Sequence, residues 1–192
     1  MSILKRMKIG YNAPVILTYT ALACVALILG YLSGGSVTRH FFTLYPVFSF
    51  QPIQLLRMFS YVLGHADFNH FFGNFSLILL IGPLIEEKYG SRKLVVMLLL
   101  TAFTSAVIHV LIFNTAVLGA SGIVFMLILL TPFTNMQSGK IPLTFILVAA
   151  IYMGRELFLG MTVTDHVSRF GHLLGGVIGA CSGYFMNKSS RS

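Results

Sequence analysis

The chain has 192 residues, 56% of them hydrophobic and only 9% charged, against roughly a quarter charged in soluble domains, which excludes an ordinary soluble enzyme. A mean hydropathy of +0.86 is also too high for a soluble domain with one anchor, because a single span of about 20 residues does not lift the average that far. The net charge of +8 sits in short clusters beside apolar runs, so it reports orientation in a bilayer rather than a nucleic-acid partner.

The first apolar run, 13–32, follows Lys5, Arg6 and Lys8 in the manner of a signal sequence. At about 20 residues it exceeds a cleaved h-region and reads as an uncleaved first span, ended by Ser33-Gly34-Gly35. The connection 34–67 is rich in Phe, Tyr and Pro. Those aromatics suit the headgroup belt, so short helices lying in the interface are predicted there. A second run, 68–85, ends in Glu86-Glu87-Lys88, carboxylates expected to cap the helix or pair with Lys88 and Arg92. Further runs cover 93–113, 119–133, 141–159 and 170–187. The fourth is the shortest, limited by Pro132. Its residues reach only about 22 Å against a hydrocarbon core of about 30 Å, so one end is expected below the membrane surface.

This pattern predicts an all-α polytopic membrane protein of six spans forming one domain over 1–192. Lys5, Arg6, Lys8, Lys88, Arg92, Lys93, Lys140, Lys188 and Arg191 fall on one side, Arg39, Arg57, Arg155 and Arg169 on the other. The tally predicts both termini in the cytoplasm, in a cytoplasmic-type membrane. Cys24 and Cys181 lie inside apolar runs and read as packing residues.

Spans two, four and six then run inward, and polar side chains inside spans are functional candidates by default. Their first residues hold His70 and Asn74 on one helix face, Gly119-Ala120-Ser121-Gly122, and Gly171-His172 followed by Gly175 and Gly179. A hydroxyl, an imidazole and a His/Asn pair thus share one depth. Serine with a histidine base is a nucleophilic pair suited to amide hydrolysis. Asn74, His70 and the backbone N–H of Ser121 at a helix N-terminus would supply oxyanion donors. Gly119, Gly122, Gly175 and Gly179 would allow the close approach that the pair needs. Plainer readings stand beside these: Ser121 as a packing residue, Gly175 and Gly179 as a small-xxx-small pair, and His70 with Asn74 as interhelical glue. His109 reads as a packing or interfacial histidine, Asp165 and His166 as a solvated turn, and His65 as a brace for the loop.

Over residues 55–187 the chain resembles the rhomboid intramembrane serine proteases. The resemblance rests on Arg57, His65, the H-x-x-x-N of His70 to Asn74, Gly82 and Glu86, the G-x-S-G of Gly119, Ser121 and Gly122, and His172 with Gly175 and Gly179. It implies a six-helix rhomboid bundle around a water-filled cavity opening outward. In it Ser121 is the nucleophile, His172 the general base, and His70, Asn74 and the Ser121 amide the oxyanion site. The usual Trp before the loop arginine is Leu56, the usual Ala before the base is Gly171, the Tyr after the nucleophile is Phe125, and a later Gly is Leu129. Phe125 keeps the ability to pack on His172 without donating a hydroxyl. The expected function is therefore cleavage of single-span membrane proteins near the outer face, without metal or cofactor. Span five, with Phe145, Phe158 and Gly160, is the expected lateral entry. Two alternatives stay open: a non-proteolytic chaperone or adaptor that binds transmembrane helices, and a proton relay through His70, His109 and His172.

Overall fold

Proline opens two of the helices, where its fixed φ suits the first turn and its missing N–H leaves no bond unmade. In the computed structural model, residues 10–135, 140–162 and 166–189 are described, with side chains over 10–134, 140–154 and 170–185. Lys5, Arg6, Lys8, Asp165 and Arg191, and the side chains of Arg155, Phe158, His166, Arg169 and Lys188, lie outside that description. The helices are α1 Pro14–Leu32, α2 Ser36–Phe41, α3 Pro52–Ser60, α4 Phe68–Tyr89, α5 Ser91–Ile112, α6 Ser121–Leu130, α7 Leu143–Thr162 and α8 His166–Ser189. Short 3₁₀ turns at Tyr61–Leu63 and Thr131–Asn135 follow α3 and α6. Among the described residues, α1, α4 and α5 are long and apolar enough to cross a membrane.

The helix α6 sits in the centre. Every residue from Ile123 to Leu130 is buried, which is where a helix apolar on all sides belongs. It packs most extensively on α8, and also on α4 and α5. The outer helices show the reverse pattern, with Leu32, Leu80 and Leu111 exposed as expected of lipid-facing positions. The α-helical part of α6 begins only at Ser121, so Gly119 and Ala120 belong to the preceding turn rather than to the helix.

The connection 34–67 carries α2 and α3, and it is tied to itself by polar side chains. Arg57 donates from Nε to the carbonyl of His40 at 2.8 Å, and its guanidinium lies 4.9 Å from the Tyr45 ring centroid. The Gln54 amide donates to the carbonyls of Tyr45 and Val47, both at 2.9 Å. These bonds satisfy loop carbonyls that have no ladder or helix partner.

Glu86 has partners other than those expected from its neighbours. Its carboxylate accepts from the backbone N–H groups of Val15 at 3.0 Å and Ile16 at 3.1 Å, and from the Ser91 hydroxyl at 2.7 Å. Pro14 offers no donor, so Val15 and Ile16 carry the orphan N–H groups at the start of α1, where the helix dipole also favours a negative charge. The expected partners Lys88 and Arg92 give way to the end of a helix distant in sequence. Gly82, one turn earlier on α4, lies directly against Ile16.

Candidate active site

The segment before α6 is held by the first loop. Leu44 and Val117 exchange two backbone hydrogen bonds of 2.9 Å, and the Gly119 N–H donates to the Tyr61 carbonyl at 3.0 Å. Gly119 has φ of 123°, a region that favours glycine. A Cβ there would stand 2.7 Å from Cε1 and 2.9 Å from Nε2 of His70. The His70 imidazole therefore rests on the backbone two residues before Ser121, which opens α6.

Facing this, α6 and α8 meet backbone to backbone. A methyl at Gly175 would overlap the carbonyl oxygen of Gly122 and stand 3.1 Å from its Cα; one at Gly179 would do the same to the carbonyl of Met126. Gly122 and Met126 are four apart, as are Gly175 and Gly179, so two ridges of equal pitch interlock. Phe125 stacks on His172 with centroids 4.4 Å apart and planes 4° from parallel. Ser121 is one turn above Phe125, and Gly171 lies beside Gly122. The structure thus sets residues 121–125 against residues 171–175.

A cavity of about 440 Å³ opens at this level, lined by Ser121, Gly119, His70, Tyr61, Ser105 and His109 among others. Tyr61 donates its hydroxyl to the Ala102 carbonyl at 3.2 Å, and burial pushes its pKa above the ordinary value. His109 bonds through Nε2 to the Thr115 carbonyl at 2.7 Å and stacks on Phe113. Sequence reasoning missed Tyr61 and Ser105; the available signal was the four-residue spacing of Ser105 and His109 on one face of α5. Asn74 and His172 do not line this cavity, although His70 and Gly171 near them in the chain do.

Asn74 engages a residue of the preceding loop. His65 bonds through Nδ1 to the Leu63 carbonyl at 3.2 Å, so Nδ1 carries the proton and Nε2 accepts from the Asn74 amide at 3.1 Å. The His65 ring is 2% exposed and meets His70 edge-on at 4.9 Å. Burial, and secondarily the neighbouring His70, lower its pKa to about 4, with the Leu63 carbonyl and Asp67 opposing. An unfolded histidine titrates near 6.5, so between these values the unfolded chain binds a proton that the folded chain refuses. This contribution to stability is level above about pH 6.5 and is lost progressively as pH falls toward 4. Thermal melts of wild type and His65→Gln across that window should show the wild type losing more of its midpoint on acidification; parallel profiles would refute the assignment.

A family profile described as the Rhomboid domain matches residues 52–189. Rhomboid-like protein 15 of Arabidopsis thaliana is 25% identical over 182 residues, covering 86% of this chain and 45% of that protein. Rhomboid protease GlpG of Haemophilus influenzae is 26% identical over 117 residues, 61% of this chain and 60% of that protein. The chain spans about half the length of the curated relatives it matches. With three helices long and apolar enough to cross a bilayer, and with the matched domain running over most of its length, the chain is a multi-pass membrane protein belonging to the rhomboid family.

Proposed function

We propose that this chain is an intramembrane serine endopeptidase that hydrolyses peptide bonds in or near the transmembrane segments of single-span membrane proteins. The observation that carries the reading is the glycine-paired approach of α6 and α8. It sets the end of α6 bearing Ser121 against the end of α8 bearing His172, beside a cavity. The match to a relative named as a protease supports it.

In this reading the chain crosses a cytoplasmic-type membrane six times with both termini in the cytoplasm, and α6 gives the shortest crossing. His172 takes the proton of the Ser121 hydroxyl as Oγ attacks the substrate carbonyl, and returns it to the leaving amine as the C–N bond breaks. Water, deprotonated by the same imidazole, then releases the acyl group and restores the serine. The Ser121 N–H at the start of α6, with His70 and Asn74, receives the charge that develops on the carbonyl oxygen, an effect worth roughly 3 kcal/mol per donor in serine hydrolases. Phe125 holds the imidazole plane by stacking. Arg57 ties the first loop together through the His40 carbonyl and the Tyr45 ring, and Glu86 fixes α1 to α4.

The test is reconstitution of the full chain in vesicles with a single-span reporter and a fluorophosphonate probe. The proposal expects new reporter fragments and covalent labelling of Ser121. A reporter that binds without being cut, with no labelling, would overturn it in favour of a helix-binding adaptor.

A further inference from the structure

We propose that His65 is a positioning residue which sets the direction of the Asn74 amide and backs the His70 ring, so that both present donors to the reacting carbonyl. The inference rests on the endopeptidase reading above. It concerns a residue outside the proposed dyad and its donors, reached through three linked contacts.

A side-chain amide has nearly the same shape either way round, but only its nitrogen end donates. An oxygen turned toward a developing oxyanion would repel it. Asn74 is 8% exposed, so the difference between the two orientations is not averaged away by water. Its nitrogen end is selected by the lone pair on His65 Nε2. That lone pair exists because the proton of the neutral ring is on Nδ1, where the Leu63 carbonyl takes it. The Leu63 carbonyl thus fixes the His65 tautomer, and the tautomer fixes Asn74.

The ring that relays this choice is buried and packed against three others. His65 is edge-on to His70 at 4.9 Å, to Phe71 at 5.5 Å and to Phe75 at 5.6 Å. On its other side His70 rests on the Gly119 backbone. His65 therefore touches both side chains assigned to the oxyanion. This is the arrangement by which an outer partner orients a reacting group without meeting the substrate.

The test is a double-mutant cycle in vesicles, reading kcat and KM on a transmembrane reporter. His65→Phe keeps a ring against His70, Phe71 and Phe75 but removes the acceptor. It should lower kcat about tenfold to a hundredfold with KM within about twofold, less than the direct loss of a strong donor. Combined with Asn74→Ala it should be no slower than Asn74→Ala alone, because the effect passes through that amide. His65→Gln, which restores an acceptor, should recover most of the rate. Multiplying effects in the double mutant, or an unchanged kcat in His65→Phe, would overturn the proposal.

A second measurement needs neither a folded variant lacking the acceptor nor protease activity. In ¹⁵N-histidine-labelled wild type, the His65 resonances, identified by their loss in His65→Gln, should show a neutral ring protonated at Nδ1 at pH 7. A ring protonated at Nε2 removes the acceptor and ends the proposal. A chain that passes this test while leaving the reporter uncut would instead discredit the endopeptidase reading.

Discussion

Ser121→Ala should reduce reporter cleavage by at least about a thousandfold while leaving the thermal midpoint nearly unchanged. The hydroxyl stands at the start of α6, where no side chain of that first turn duplicates it: Gly122, Ile123 and Val124 carry none. The Tyr61 hydroxyl, which also lines the cavity, is already donated to the Ala102 carbonyl. His172→Ala should cost as much in rate, and the double substitution no more than either alone, because a nucleophile and its base act as a unit. The two differ in stability. Removing the imidazole also removes the ring stacked on Phe125, a contact worth about 1 kcal/mol, so His172→Ala should melt lower than Ser121→Ala. Reporter cleavage, probe labelling and melting of the three proteins together check this. Wild-type turnover by either single variant would eliminate the proposed chemistry.

Gly175→Ala should be nearly as damaging to activity, through geometry rather than chemistry. The added methyl meets the carbonyl and Cα of Gly122, which are backbone atoms with no rotamer to change. Because α6 is buried along Ile123–Leu130 it has no room to retreat, so α8 must move away. Overpacking of this kind typically costs about 1–3 kcal/mol. A displacement of roughly 1 Å between reacting groups is enough for a hundredfold loss of rate. Gly179→Ala should act alike against the Met126 carbonyl. Gly154→Ala is the control: among the described residues nothing lies within 4 Å of its added methyl, and alanine is the better helix former by roughly 1 kcal/mol. If Gly175→Ala kept the wild-type rate and midpoint, the tight crossing of α6 and α8 would be wrong.

Much of the helical layout is legible in the apolar runs, because a buried or lipid-facing helix must be written in apolar residues. The run 13–32 and α1 nearly coincide. Helix ends are less legible. Apolar content stops at 85, yet α4 continues to Tyr89, since backbone hydrogen bonding carries a helix through Glu86, Glu87 and Lys88 until Gly90, with φ of 84°, breaks it. The candidate chemistry is legible where it follows spacing along one helix, as for His70 with Asn74 or Gly175 with Gly179. It is illegible where a partner comes from a distant loop. The bonds of Leu44 with Val117, Gly119 with Tyr61, and Glu86 with Val15 each join positions 58 or more apart, or 71 in the last case, and leave no local pattern. The His65 and Asn74 bond spans only nine residues, but it depends on a tautomer chosen by the Leu63 carbonyl, which no residue type announces.

The grip of Glu86 on α1 bears on what can be cut away. The recognised family region starts at residue 52, after α1, which makes it an obvious fragment to express. Yet the carboxylate inside it is only 4% exposed and draws two of its three donors from residues 15 and 16. Excising α1 would take two hydrogen-bond donors from a carboxylate in a greasy setting and open the surfaces of Gly82 and Val62 that Ile16 and the Tyr19 hydroxyl now cover. The leading helix is a splint as much as an anchor, so a chain trimmed to the family region should melt lower than the full chain.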